Sequence, residues 1–169
     1  MSDLLLGIET GGTKVVAGVA RMTDGRPSLV APQVVGPTGY DPPAMLDDLF
    51  HQVAEIAPIE EISAVGIGSF GPVDPVAGVM GETPKRGWAG FPLAEEVKRR
   101  VGAPLGFDTD VNAAGLAEWR WGAAQGCDVA VYVTVGTGIG GGLIVGGAAV
   151  QGLLHPGHVQ DGDVWEPLY

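Results

Sequence analysis

Cysteine is almost missing from this sequence: Cys127 is the one thiol among 169 residues. A lone thiol excludes an internal disulfide and agrees with a reducing compartment. Basic residues are scarce too, with 9 Lys and Arg against 20 Asp and Glu, a formal net charge of -11. Such a balance repels nucleic-acid phosphates and anionic membrane, so neither partner is expected. No apolar run approaches the roughly 20 residues that cross a bilayer. Met1-Ser2-Asp3 puts no basic residue ahead of Leu4-Leu5-Leu6, so that run reads as a strand and not as a secretory signal. A cytoplasmic location is expected. His155 and His158 lie close together, but structural zinc takes four ligands, and zinc is not expected.

What the chain does have is apolar residues at 46% and abundant turn formers, 29 Gly and 13 Pro. Glycine and proline are spread between apolar runs, which reads as many short elements joined by turns. Two stretches share one pattern. Residues 129–135 are β-branched and aromatic, then come Gly136-Thr137-Gly138-Ile139-Gly140-Gly141-Gly142, then the apolar residues 143–145. Near the N-terminus, residues 4–9 are apolar, Thr10-Gly11-Gly12-Thr13-Lys14 follows, and residues 15–20 are apolar again. Both predict strand, glycine turn, strand, and such a repeat about 125 residues apart suggests two related domains. Glycine N–H groups in a turn can approach an anion closely, and Thr137 adds a hydroxyl. Neither stretch is a Walker A loop, and neither leads into a helix as a dinucleotide fingerprint does.

Between the two hairpins, residues 28–35 predict a third strand and Pro42-Pro43 opens a helix. Apolar Met45, Leu46, Leu49, Phe50, Val53 and Ile56 keep helical spacing up to Pro58. Residues 63–68 read as a strand, 78–90 as an irregular loop, 93–101 as a short helix and 105–107 as a strand. A longer helix is expected from Asp110 to about Ala124, with Gly126 as its stop. A last short strand is expected at 148–150, and the acidic tail 159–169 is expected to be poorly ordered.

Asp110 stands where a strand gives way to a helix. There a carboxylate can take the proton of an attacking hydroxyl, or it can simply cap the helix. Glu9 at the end of the first strand can hold Mg2+ or be a solvated charge. Lys14 can pair with phosphate or lie exposed on an edge. Trp88 can stack on a ligand ring or pack inside.

These residues resemble the ROK sugar kinases, and among them the bacterial fructokinase branch. Leu6-Gly7-Ile8-Glu9-Thr10-Gly11-Gly12-Thr13-Lys14 is similar to the family's first phosphate motif, and residues 136–142 to its second. Gly66-Ile67-Gly68-Ser69-Phe70-Gly71-Pro72-Val73-Asp74 resembles the segment beside the sugar. Thr83-Pro84-Lys85-Arg86-Gly87-Trp88 resembles the fructokinase form of the sugar-contact loop, and Asp108-Thr109-Asp110-Val111-Asn112-Ala113-Ala114 resembles the catalytic motif.

The resemblance implies an α/β, actin-like (ribonuclease-H-like) kinase fold with ATP and Mg2+ between two domains. It makes Asp110 the base and places Glu9 near the metal. Thr10, Gly11, Gly12, Thr13, Lys14, Gly136, Thr137, Gly138 and Gly140 would hold phosphate. Gly71, Thr83, Trp88, Asn112 and His158 would face the hexose. The expected domains are 1–115 and the beginning of a second at 116–158. After His155-Pro156 the family continues Glu-Met-Gly-His, whereas this chain reads Gly157-His158. The resemblance covers about the first half of a full-length kinase, so negligible activity is expected of the chain alone. A non-catalytic sugar- or phosphate-binding remnant and a ROK-type regulator are the alternatives. Unpaired strand edges also make a homodimer conceivable.

Overall fold

Apolar residues two apart dictate the first sheet. Leu4, Leu6 and Ile8 in β1 (Leu4–Thr10), and Val15, Ala17 and Val19 in β2 (Lys14–Thr23), are all buried, since successive strand residues face opposite ways. The two strands pair antiparallel from Leu4↔Arg21 to Thr10↔Val15. The structure, a computed structural model, describes residues 4–135, 138–151 and 159–160. The chain divides into one compact unit ending at Asp108 and another beginning at Thr109.

In the first unit, β1 also pairs in parallel with β5 (Ile62–Ser69). The sheet order is β3-β2-β1-β5-β8, with β3 at Arg26–Leu29 and β8 at Leu105–Thr109; β4 (Val34–Pro37) sits on β2 as well. The single strand expected over 28–35 is thus two short strands. Both pair with β2, β3 at its far end and β4 at the end nearest the glycine turn. The break falls at residues 30–33, where Pro32 lacks the N–H that a continuous ladder needs.

The parallel pairing of β1 and β5 requires a crossover, and α1 (Pro42–Ile56) lies within it. Asp41 caps α1 by accepting the Ala44 N–H at 3.1 Å. Leu46, Leu49 and Val53 on its inner face are no more than 2% exposed. Burying each contributes roughly 1.5–3 kcal/mol. α2 (Leu93–Val101) buries Leu93 and Val97. Its Arg100 pairs with Asp47 of α1 and with Glu96. Burial lowers the Arg100 pKa, but hydrogen bonds to Asp47 and Glu96 outweigh this and hold it above its ordinary value. Because Asp47 is largely exposed, that pair contributes about 1 kcal/mol or less. Apolar burial, not the ion pairs, joins the helices to the sheet.

The stretch expected as an irregular loop contains part of a small hairpin, β6 (Val73–Asp74) with β7 (Val79–Met80). Met80 is buried, and its N–H donates to the Phe91 carbonyl.

In the second unit, α3 (Asp110–Trp121) is shorter than expected. Gly122 closes it, and residues 123–124 turn back through bonds to Glu118. β9 (Val129–Val135) and β10 (Gly138–Val145) form an antiparallel hairpin, from Val129↔Val145 to Val135↔Ile139. Most of the expected glycine turn is therefore strand. β11 (Ala148–Ala149) and β12 (Val159–Gln160) flank β10. The expected disordered tail thus begins with a paired strand, and its residues 161–169 lie outside the described residues.

Candidate functional site

In the first unit, three connections carry candidate site residues. Residues 11–14 form a tight turn in which the Gly11 N–H donates to the Lys14 carbonyl at 2.8 Å. Thr38, fully buried, holds the turn from below: its hydroxyl donates to Gly11 O at 2.7 Å and its N–H to Thr13 O at 3.0 Å. A Cβ at Gly12 would meet nothing within 4 Å, so the tip of the turn is open to a ligand.

Thr10 is fully buried, and its hydroxyl donates to Ser69 Oγ at 2.7 Å. Its carbonyl accepts the Phe70 N–H at 2.7 Å, which sets Gly71 just beyond. Thr10 therefore fixes the turn to β5, and its hydroxyl is not turned to solvent. Glu9 lies exposed on the sheet face away from the core. Lys14 is exposed at the start of β2.

The third connection is residues 83–88. Thr83 Oγ1 accepts the Lys85 N–H at 3.3 Å, and the Lys85 ammonium donates to Gly12 O at 2.8 Å. Gly87 has φ +83, and a side chain there would collide with the Tyr40 carbonyl, so only glycine fits. Trp88 is packed inside. It is 0% exposed, with Phe70 and Phe91 edge-on at 5.1 and 6.0 Å, and its indole N–H donates to Gly39 O at 3.2 Å. A ring enclosed in this way anchors the loop.

In the second unit, the candidate residues lie at the start of α3. Thr109 is the cap: its hydroxyl accepts the Asn112 N–H at 3.2 Å. Asp110 occupies the first helical position, with Oδ1 accepting the Val111 N–H at 2.9 Å. The capping role left open for Asp110 thus belongs to Thr109. Asn112 is buried. A Cβ at Gly142 would lie 2.7 Å from Val111 O and 2.9 Å from Asn112 Oδ1. The glycines of β10 thus let the strand run against the first turn of α3. The structure brings the glycine-rich strand and the Asp110–Asn112 pair together within one unit. Gly140 is buried and Gly138 pairs with Gln160, while Gly136, Thr137 and His158 lie outside the described residues.

Sequence reasoning missed Thr38, Ser69 and Lys85. Lys85 lay inside a motif already singled out, between Pro84 and Gly87, but nothing local tied it to Gly12. Thr38 gave no signal at all. Among the described residues no group of three or more His, Cys, Asp or Glu could hold a metal ion, and no helix is long and apolar enough to cross a membrane.

A glycine turn between β1 and β2, β5 parallel to β1, and a strand that leads directly into α3 agree with the expected actin-like α/β fold. Comparison agrees. The ROK family model matches residues 5–164. A Bacillus subtilis (strain 168) protein provisionally named a fructokinase is 43% identical over 163 residues, covering 92% of this chain and 52% of the relative. A glucokinase of Streptomyces coelicolor is 36% identical, over 88% of this chain and 46% of the relative. Among solved structures, a ROK family glucokinase from Streptomyces griseus in complex with glucose and AMPPNP superposes with TM-score 0.75. It is 35% identical, over 90% of this chain and 47% of that one. The chain belongs to the ROK family. It spans about half the length of the curated relatives it matches.

Proposed function

We propose that the chain is part of an ATP-dependent hexose kinase that transfers a phosphoryl group to a sugar hydroxyl, with fructose the preferred sugar. The observation that carries the reading is the start of α3. Thr109 supplies the cap, and the Asp110 carboxylate, which accepts the Val111 N–H, stands at the strand-to-helix junction where it accepts the proton of the attacking hydroxyl. Asn112, two positions on and buried, orients the same sugar. The first unit supplies main-chain N–H groups at residues 11–14 for the nucleotide phosphates.

The open Gly12 tip fits a phosphate chain. Glu9, exposed near the end of β1, is the one carboxylate that the first motif offers to Mg2+. When bound, the metal neutralises charge developing on the phosphoryl oxygens. Everything else falls to the protein, which must position the phosphates, orient the hydroxyl and accept its proton. The preference for fructose rests on residues 83–88, which resemble the fructokinase form of the sugar-contact loop. Thr83 and Gly71 are the residues of this region assigned to the sugar.

A coupled assay with ATP and fructose, glucose or mannose tests the reading on the complete protein, alongside sugar binding to the present chain by calorimetry. Phosphorylation of fructose ahead of glucose is expected. A complete protein that binds no hexose and turns over no ATP removes the kinase reading; equal use of all three sugars removes the fructose preference.

A further inference from the structure

Lys85 reaches the N-terminal turn from 73 residues away, with its ammonium 2.8 Å from Gly12 O and 5.0 Å from the centre of the Tyr40 ring. The segment that carries it is fixed at several points. Lys85 N–H donates to Thr83 Oγ1, Trp88 is buried and bonded to Gly39 O, and Gly87 lies against the Tyr40 backbone. The turn it meets is fixed as well, by Thr38 at Gly11 and Thr13. Two rigid pieces of backbone thus hold one ammonium in place.

The charge pattern gives that placement a purpose. A polyanion approaching residues 11–14 meets the Gly12 carbonyl, the negative end of a peptide dipole, and the exposed Glu9 nearby in sequence. Lys85 covers that carbonyl and adds a full positive charge. An ammonium has three donors; Gly12 takes one, and the Tyr40 ring attracts the cation through its face without requiring a directed N–H. Donor capacity remains for a phosphate oxygen. Lys14, the basic residue within the turn motif, joins the turn through its carbonyl, and its side chain sits exposed where β2 begins.

We infer that Lys85 is the phosphate-binding cation of the N-terminal turn. Its ammonium contacts the phosphate chain of a nucleoside triphosphate seated on residues 11–14 and links that chain to residues 83–88. That the anion is a nucleotide rests on the kinase reading; that Lys85 faces a phosphate oxygen rests on the geometry alone.

The test is a titration of the wild-type chain, K85R and K85M with inorganic tripolyphosphate, following the amide resonances of Gly11, Gly12 and Thr13 and the thermal midpoint of each variant. Wild type should bind with shifts confined to the turn. K85M should bind about 10- to 100-fold more weakly, the span of one charge-assisted hydrogen bond, with its midpoint little changed. K85R should retain most of the affinity. Absence of wild-type binding, or unchanged affinity in K85M, overturns the inference. Should K85M fail to fold, the Lys85 side-chain resonances of wild type decide: a shift with tripolyphosphate supports the inference, and no shift overturns it. AMPPNP and fructose separate the two levels. A complete protein that binds tripolyphosphate through Lys85 but ignores AMPPNP and hexose keeps the inference and sinks the kinase reading. AMPPNP binding that K85M leaves intact does the reverse.

Discussion

The two hairpins, β1–β2 and β9–β10, start from one sequence pattern and end in different states. β1 is paired on both sides, by β2 and by β5, and its inward residues join the buried core that α1 and α2 cover. On the other face, Gly7 stands beside Gly18 and Gly66 in lateral register, with Met22, Leu29 and Val35 exposed farther out. β9 has β10 as its one partner among the described residues. Its inward face, with Ile144 of β10 buried, packs on α3 through Gly115. Its outward face shows Val129, Val131, Val133 and Val135 at 57–76% exposure, beside Ile139 and Val145. The same local code thus yields one hairpin paired on both sides with its inward face in the core, and another with a row of exposed valines on one face. Local sequence decides that a hairpin forms, and the layers around it decide how far it is stabilised.

The comparison can be broken or sharpened by substitution. The largest effect is expected at Asp110. In the complete protein, Asp110→Asn should lower turnover by about 10²–10⁴, the contribution of a positioned base, and leave sugar affinity nearly unchanged. Because Thr109 is the cap, the thermal midpoint should barely move. Steady-state kinetics with a melting curve decide; full turnover with lost stability would return Asp110 to a structural role.

Trp88→Ala should show how firmly the first hairpin's surroundings are sealed. Removing a fully buried indole should cost about 3–5 kcal/mol in denaturant unfolding, and the resonances of residues 38–40 should broaden or shift. A cost below about 1 kcal/mol, the usual range for surface changes, would mean that the loop is not anchored there.

Thr109→Ala removes the cap that opens α3 and should destabilise the second unit by about 1 kcal/mol, read by amide exchange over residues 110–121. No change there would show that another group satisfies the Asn112 N–H.

The smallest effect on stability is expected from Val131→Thr with Val133→Thr, on the exposed face of β9. Unfolding free energy should shift by no more than about 0.5 kcal/mol, while light scattering at high concentration should fall, since exposed apolar patches favour association. The matched change on the sealed hairpin, Val19→Thr, should cost about 1–3 kcal/mol by burying a hydroxyl. Equal costs in the two hairpins would erase the distinction drawn between them.

Much of this was legible in the chain. Alternation at Leu4, Leu6 and Ile8, and helical spacing at Met45, Leu46, Leu49, Phe50 and Val53, are local signals with a fixed period, and the elements fall where the period places them. The glycine run at 136–142 was legible only as a turn. The placement of residues 138–142 in β10 goes with the first turn of α3 lying against Gly142, a contact that no local pattern encodes. That Thr109 accepts the Asn112 N–H at the start of α3, and that Phe70, Phe91 and Gly39 surround Trp88, could not be read from the local sequence.

The sequence by itself determined the elements, the two glycine-bearing hairpins, the acidic surface and the family, because propensity, periodicity and motif order are carried by neighbours in the chain. Only the tertiary structure decided that residues 138–142 are strand, that Thr10 bonds to Ser69 and Trp88 to Gly39, and that Lys85 stands over Gly12. Those outcomes depend on groups far apart in sequence: 59 residues for Thr10 and Ser69, 49 for Trp88 and Gly39, and 73 for Lys85 and Gly12. Burial and hydrogen bonding across such separations arise only when the sheet has closed and its connections have packed.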